Sequence, residues 1–197
     1  MDVLEAIMTR QMVPGVKQDP IPRDTIERLL EAAVRAPNHY LNQPWRFIVI
    51  SGKAREELGA IFEASLREQM KDEPDEKKVE GQAMGERTKM LRAPVVIAVG
   101  VKQDPDDKRI PAFENVAATA AATQNLLLAA HGLGLGAYWR SGNNVFDPKV
   151  KEWLGLAPED ELISFVYLGY PDADGEQRPR RDRESIDDKT RWLGFDS

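Results

Sequence analysis

Apolar residues recur along this chain with two different periods, and the changes of period mark out its elements. In residues 2–10, Val3, Leu4 and Ile7 fall on one side of a short helix. Pro14, Gly15, Pro20 and Pro22 then break the pattern into a loop. Ile26, Leu29, Leu30, Ala33 and Val34 return at helical spacing and predict a helix over residues 23–35. Ala36-Pro37-Asn38 ends it, because the residue before a proline disfavours helical backbone. Residues 45–50 (WRFIVI) are aromatic or β-branched and predict the first strand. A charged helix over residues 54–70 follows, broken at Pro74, and a second charged stretch continues to Arg92.

Residues 95–101 (VVIAVGV) are apolar at consecutive positions, the pattern of a strand covered on both faces. Pro111 suits the first position of a long helix reaching His131. Residues 116–122 and 126–130 of that helix are small or apolar around nearly the whole circumference, which predicts burial. Two readings stay open: the central helix of a monomer core, or a core helix that also forms a dimer interface. A turn over residues 132–136 leads to a short strand at 137–140. Asp147-Pro148 supplies an N-cap and first-turn pair for a helix carrying Val150, Trp153 and Leu154. Residues 162–168 form the last core strand, ended by Gly169-Tyr170-Pro171, and residues 172–191 are almost entirely charged or turn-forming. No repeat and no second domain interrupts this order, so residues 1–197 read as one domain.

Composition narrows the chemistry. Among 197 residues, 42% are hydrophobic, enough for a core, yet no apolar run is long enough to span a bilayer. The first residues lack the apolar stretch of a signal peptide, which makes a cytoplasmic location the expectation and a membrane partner none. A formal net charge of −6 argues against nucleic acid as the main partner. Cysteine is absent, so thiol nucleophiles, thiolate zinc sites and cysteine-ligated clusters are excluded. With only His39 and His131 as imidazoles, a multi-histidine metal centre is excluded too. Redox chemistry would have to come from a bound organic cofactor. The run Gly132-Leu133-Gly134-Leu135-Gly136 is not a dinucleotide loop, which must follow a strand and open a helix. Here a helix precedes and a strand follows, so Gly132 reads as a helix cap.

Taken in order, three stretches resemble the nitroreductase family of flavoproteins, particularly its compact members. They are Met8-Thr9-Arg10-Gln11-Met12 after the first helix, Ala32–His39 followed by Gln43-Pro44-Trp45-Arg46-Phe47, and Gln124-Asn125-Leu126 with Gly132-Leu133-Gly134 and Tyr138-Trp139-Arg140-Ser141-Gly142. The resemblance covers most of residues 1–171. It implies an α+β fold: a three-layer α-β-α sandwich around a central mixed, mainly antiparallel sheet, assembled as a homodimer with FMN at the interface. Residues 172–197 would be a charged tail packing on the partner subunit.

The resemblance also assigns roles. Arg10 holds the family's first arginine position and is the expected phosphate contact, since guanidinium forks suit phosphate. Gln11 and Met12 stand where the family usually has Arg and Ser, which removes one cation and one hydroxyl and leaves their backbone groups as contacts. Arg178, Arg180, Arg181 and Arg183 are a reservoir for the missing charge, or simply a solvated tail. Arg35 and His39 fall in the segment extended toward the partner's flavin, and Trp139, Arg140 and Ser141 are expected at the flavin as well, with core packing an equal reading for Trp139. Residues 121–126 would line the nicotinamide side. Residues 71–92 would form a lid or a solvated pair of surface helices.

The implied activity is hydride transfer from NADH or NADPH to FMN and then to a small-molecule acceptor, a nitroaromatic, quinone or similar compound, in ping-pong order. No protein catalytic residue is required. The same residues would suit a flavin-binding sensor or carrier with little turnover, or a related flavin reaction such as dehalogenation or flavin destruction. A helical interaction module without flavin is the remaining alternative.

Overall fold

The computed structural model describes residues 1–173 and 182–195. Its strands are β1 (Trp45–Ser51), β2 (Val95–Val101), β3 (Gly136–Arg140) and β4 (Glu161–Gly169), in the spatial order β1-β2-β4-β3. All three pairings are antiparallel, so the sheet of one chain contains no parallel pair among the described residues. β2 lies inside the sheet and is buried at every position, as its unbroken apolar run predicts. Val95, Ile97 and Val99 join Val166 and Leu168 on one face, whereas Val96 and Ala98 join Phe165 and Tyr167 on the other. The register shifts opposite Val99 and Gly100, a β-bulge that leaves Ile163 outside the pairing.

Six α-helices among the described residues cover the sheet: α1 (Val3–Thr9), α2 (Arg23–Ala33), α3 (Ala54–Gln69), α4 (Glu76–Thr88), α5 (Ala112–Gly132) and α6 (Pro148–Trp153). Leu29 and Ala33 of α2 and Ala118, Ala122, Leu126, Leu127 and Ala130 of α5 close the first face. Leu58 and Phe62 of α3 and Val150 and Leu154, on and just after α6, close the second. The layers are therefore helix, sheet, helix. As the sequence suggests, Asp147 caps α6 by accepting the Lys149 N–H (2.9 Å), with Pro148 in its first turn. No helix among the described residues is long and apolar enough to cross a membrane.

α5 ends differently from its sequence reading. Gly132 is its last residue, Leu133 is the cap, and Gly134 takes the left-handed conformation at φ 74°. The Gly134 and Leu135 N–H groups bond back to His131 O (3.1 Å) and Ala130 O (2.8 Å), a Schellman closure that needs its left-handed residue two places later than Gly132. One face of α5 is buried. On the other, Phe113, Ala117 and Gln124 are exposed and Val116, Ala120 and Ala121 half-buried. α1 has no buried residue at all, although Val3, Leu4 and Met8 are apolar and each more than 70% exposed.

The charged stretch after α3 is a docked helix. Glu63 accepts from Arg67 Nη2 (2.9 Å) and Arg87 Nη1 (2.7 Å), and Arg67 Nη2 also reaches Glu80 (2.8 Å). These hydrogen bonds, Arg87 first, hold the Glu63 carboxyl below the usual carboxylate range. Ala83 of α4 is fully buried, and a Cβ on Gly59 would lie 2.1 Å from the Arg87 carbonyl oxygen. The close approach of α3 and α4 therefore depends on Gly59 having no side chain. Gly59→Ala is expected to push the helices apart and lower stability by about 1–3 kcal/mol, the usual cost of overpacking. Urea denaturation measures this, and an unchanged midpoint would show that the hairpin yields freely.

Candidate functional site

Arg10 caps the C-terminus of α1 through its N–H to Ala6 O (3.0 Å), which turns the chain out of the helix. The following residues are stitched to the sheet by Val13 N–H to Ala137 O (3.0 Å) and Lys17 N–H to Tyr170 O (2.8 Å). Arg10 is half-buried, and its Nη1 is buried without a hydrogen-bond partner among the described residues. Burial first, and then the charge of Arg183, push its pKa below the ordinary arginine value. Arginine nonetheless stays protonated at any physiological pH. A desolvated, unsatisfied donor next to a like charge is unfavourable in the chain alone and calls for an anion. Arg178, Arg180 and Arg181 lie outside the described residues.

A second anchor holds α1. Thr9 Oγ1 donates to Glu5 O (2.6 Å), which commits its one hydrogen, so His131 Nε2 must be the donor in their 2.7 Å contact. This ties Arg10's neighbour to the C-terminal end of α5. Reading the sequence missed the pair because 122 positions separate its members, and neither residue type is unusual where it stands.

Gln11 is half-buried. Met12 packs against the first core cluster, and its sulfur accepts the Trp139 backbone N–H (3.3 Å). Trp139, half-buried on the same face, donates its indole N–H to Ser141 Oγ (3.2 Å). Ser141 Oγ in turn donates to the carbonyl of the bulged Ile163 (2.7 Å). Met12, Trp139 and Ser141 are thus linked through neighbouring elements, with Arg10 two residues before Met12 in the chain. Arg140 departs from this group. Its guanidinium lies 5.7 Å from the ring centre of Tyr138, which packs on the opposite face of the sheet, as strand alternation requires.

Arg35 and His39 are exposed; Arg35 follows α2, whose Ala32 carbonyl accepts from Asn125 of α5 (3.4 Å), and His39 sits toward the start of α5. His39 Nδ1 donates to the Glu114 carboxylate at the N-terminal end of α5, and its ring stacks on Tyr40 at 4.5 Å. From Glu114 to His131 is about 25 Å at 1.5 Å per residue, so α5 holds the Arg10 group and the His39 segment at opposite ends. The His39 segment is also strained. Tyr40, Leu41 and Gln43 have φ of 50°, 53° and 47°, a left-handed conformation costing non-glycine residues roughly 1–2 kcal/mol each. Such strain persists only where neighbouring contacts enforce it, and it concentrates at functional sites. A groove of about 680 Å³ along the outer edge of β1, lined by Ile21, Ile26, Leu30, Val49 and Arg55 among others, contains none of the candidate residues.

The fold and this site can be set against known proteins. The sequence profile described as the nitroreductase family matches residues 7–170. The candidate NAD(P)H nitroreductase YdjA of Escherichia coli (strain K12) is 31% identical over 171 residues, covering 87% of this chain and 89% of its own. Among solved structures, a nitroreductase-like family protein from Bacillus cereus superposes with a TM-score of 0.79 at 25% identity, over 98% of this chain and 97% of its own. A candidate nitroreductase from Desulfovibrio desulfuricans, solved in complex with FMN, shares the fold with a TM-score of 0.73 at 24% identity, over 99% of this chain and 98% of its own. The chain belongs to the nitroreductase family.

Proposed function

We propose that the protein is an FMN-dependent oxidoreductase that uses NADH or NADPH and works as a homodimer with shared sites. The observation that carries this reading is the buried, unpartnered Arg10 Nη1 beside the charge of Arg183. A phosphate dianion there would relieve both the missing hydrogen bond and the repulsion between the two cations. The names of the relatives, NAD(P)H-dependent in one case and FMN-bound in another, support the same cofactors. When bound, FMN supplies a two-electron carrier that takes a hydride from NAD(P)H and reduces a nitroaromatic, quinone or similar acceptor, in ping-pong order.

The chain's own residues bind and orient. Arg10 and Arg183 hold the phosphate, with the backbone of Gln11 and Met12 beside them. Trp139, fixed through Met12 and Ser141, forms an apolar wall that keeps water from the reacting region. Arg140 contributes through its backbone, because its side chain is turned to the other face of the sheet. Arg35 and His39 reach the flavin of the partner subunit. For His39 the assignment rests on the length of α5: His39 and Arg10 stand too far apart in one chain to grip one FMN, whereas two chains can supply one each; for Arg35 it rests on the family resemblance. The exposed apolar residues of α1 and the outward face of α5 are the surface such a dimer would cover. The tail would pack on the partner after passing Arg10.

Three outcomes are expected. The purified protein is yellow and releases FMN on denaturation, and Arg10→Ala weakens FMN binding by about 1.5–3 kcal/mol, the range for a charged hydrogen bond. Flavin-fluorescence titration measures this, and recovery of stoichiometric FAD or an unchanged affinity would reject the assignment. Initial rates over a grid of NADPH and quinone concentrations give parallel double-reciprocal lines, whereas intersecting lines exclude the ping-pong order. Finally, mixing Arg10→Ala with His39→Ala subunits restores part of the activity that each lacks, because a heterodimer contains one intact composite site. No rescue after demonstrated subunit exchange would reject the shared site.

A further inference from the structure

The strained segment before β1 is held by a directed chain of side-chain amides, and no residue type in it announces that role. Its source is Glu161, the first residue of β4, whose carboxylate can only accept. Gln103 Nε2 donates to Glu161 Oε1 (2.7 Å) and to Ala112 O (3.2 Å), which leaves Gln103 Oε1 as an acceptor. Asn115 Nδ2 donates to that oxygen (3.0 Å), so Asn115 Oδ1 faces outward and accepts from Asn42 Nδ2 (2.6 Å). Gln103 and Asn115 are buried, and the Gln103 backbone N–H is fixed on Asp160 (3.0 Å). Each amide is thereby oriented by the one behind it, and the order runs from the exposed Glu161 through two buried amides to an exposed loop.

Asn42 sits between Leu41 and Gln43, both left-handed. The segment is clasped on either side of it. Asn38 Oδ1 accepts the Gln43 N–H (2.9 Å), Glu114 takes His39 Nδ1, and the Arg109 guanidinium lies 5.5 Å from the centre of the Tyr40 ring. Glu114 and Asn115 are adjacent in the first turns of α5, so one helix end grips the loop at His39 and at Asn42 together. The amide of Asn42 is the contact that joins this strained loop to the buried network.

We propose that Asn115 is a positioning residue: through Asn42 it locks the left-handed segment and so aims His39 at the cofactor of the partner subunit. This rests on the shared-site reading above. The relay itself is tested without flavin. In the apoprotein, the Asn42 side-chain amide should be slow to exchange in NMR spectra, and both Asn115→Ala and the remote Gln103→Glu should speed its exchange. An Asn42 amide that exchanges freely, or that ignores both substitutions, overturns the relay.

Its consequence is read as FMN affinity by fluorescence titration. Asn42→Ala, at an exposed loop position, should raise the FMN Kd about tenfold, the worth of one hydrogen bond. The melting temperature of the apoprotein should stay within a degree or two. In a His39→Ala background the same substitution should change Kd less than twofold, because its effect travels through His39. Equal effects in both backgrounds would mean a general structural role and would overturn the positioning assignment. If His39→Ala alone leaves Kd unchanged while the Asn42 amide responds as expected, the shared-site reading fails and the relay stands.

Discussion

The inner face of α5 rests on the sheet through Ala118, Ala122, Leu126, Leu127 and Ala130, opposite Val95, Ile97, Val99, Val166 and Leu168. Small residues let the helix come close, and burial of the larger ones holds it there at about 25 cal/mol for each Å² of apolar surface removed from water. The helix is then a rigid rod, and both candidate half-sites are fastened to its ends. Glu114 and Asn115 clasp the segment carrying His39 at one end. His131 holds Thr9, and with it the turn at Arg10, at the other. The distance between these two groups in the chain is a property of helix length.

Both ends carry an unfavourable element that the rest of the fold tolerates. Arg10 keeps a buried nitrogen unsatisfied beside a like charge, and Tyr40, Leu41 and Gln43 occupy backbone conformations that side chains disfavour. The interior holds a fully buried β2, a docked α3–α4 hairpin and a Schellman closure of α5, although the hydroxyls of Ser65, Thr119 and Ser164 are buried without a partner among the described residues. Arg10 is the charged member of that unpartnered set, and it and the strained backbone stand where a ligand or a partner would relieve them. That placement is expected of a binding protein, because groups already satisfied within the chain have nothing left to offer a cofactor.

How much of this was legible beforehand depended on the range of the interaction responsible. The consecutive apolar residues of β2, the helical spacing of Ile26, Leu29 and Ala33, and the Asp147-Pro148 cap are local, and each was found where the sequence put it. The ordered blocks around Arg10, His39 and Trp139 carried the family resemblance for the same reason: each is a short stretch whose residue types can be read in place. The even spread of small apolar residues along α5 indicated burial, but not which side would meet the sheet, since a helix apolar all round has no sequence-marked inner face.

Only the tertiary structure decided the rest. The alternation of β3 separates Arg140 from Trp139 and Ser141, although the three are consecutive in sequence. The left-handed residue ending α5 is Gly134 because the return bonds from Gly134 and Leu135 require it there, in a run where three glycines could have served. The relay from Glu161 through Gln103 and Asn115 to Asn42 joins four ordinary polar residues from distant parts of the chain. Amides and hydroxyls gain a role from the direction of their hydrogen bonds, and that direction is set by whichever acceptor or donor packing brings within 3 Å. Periodicity records which residues a chain must bury; it holds no information about which buried polar group will face which.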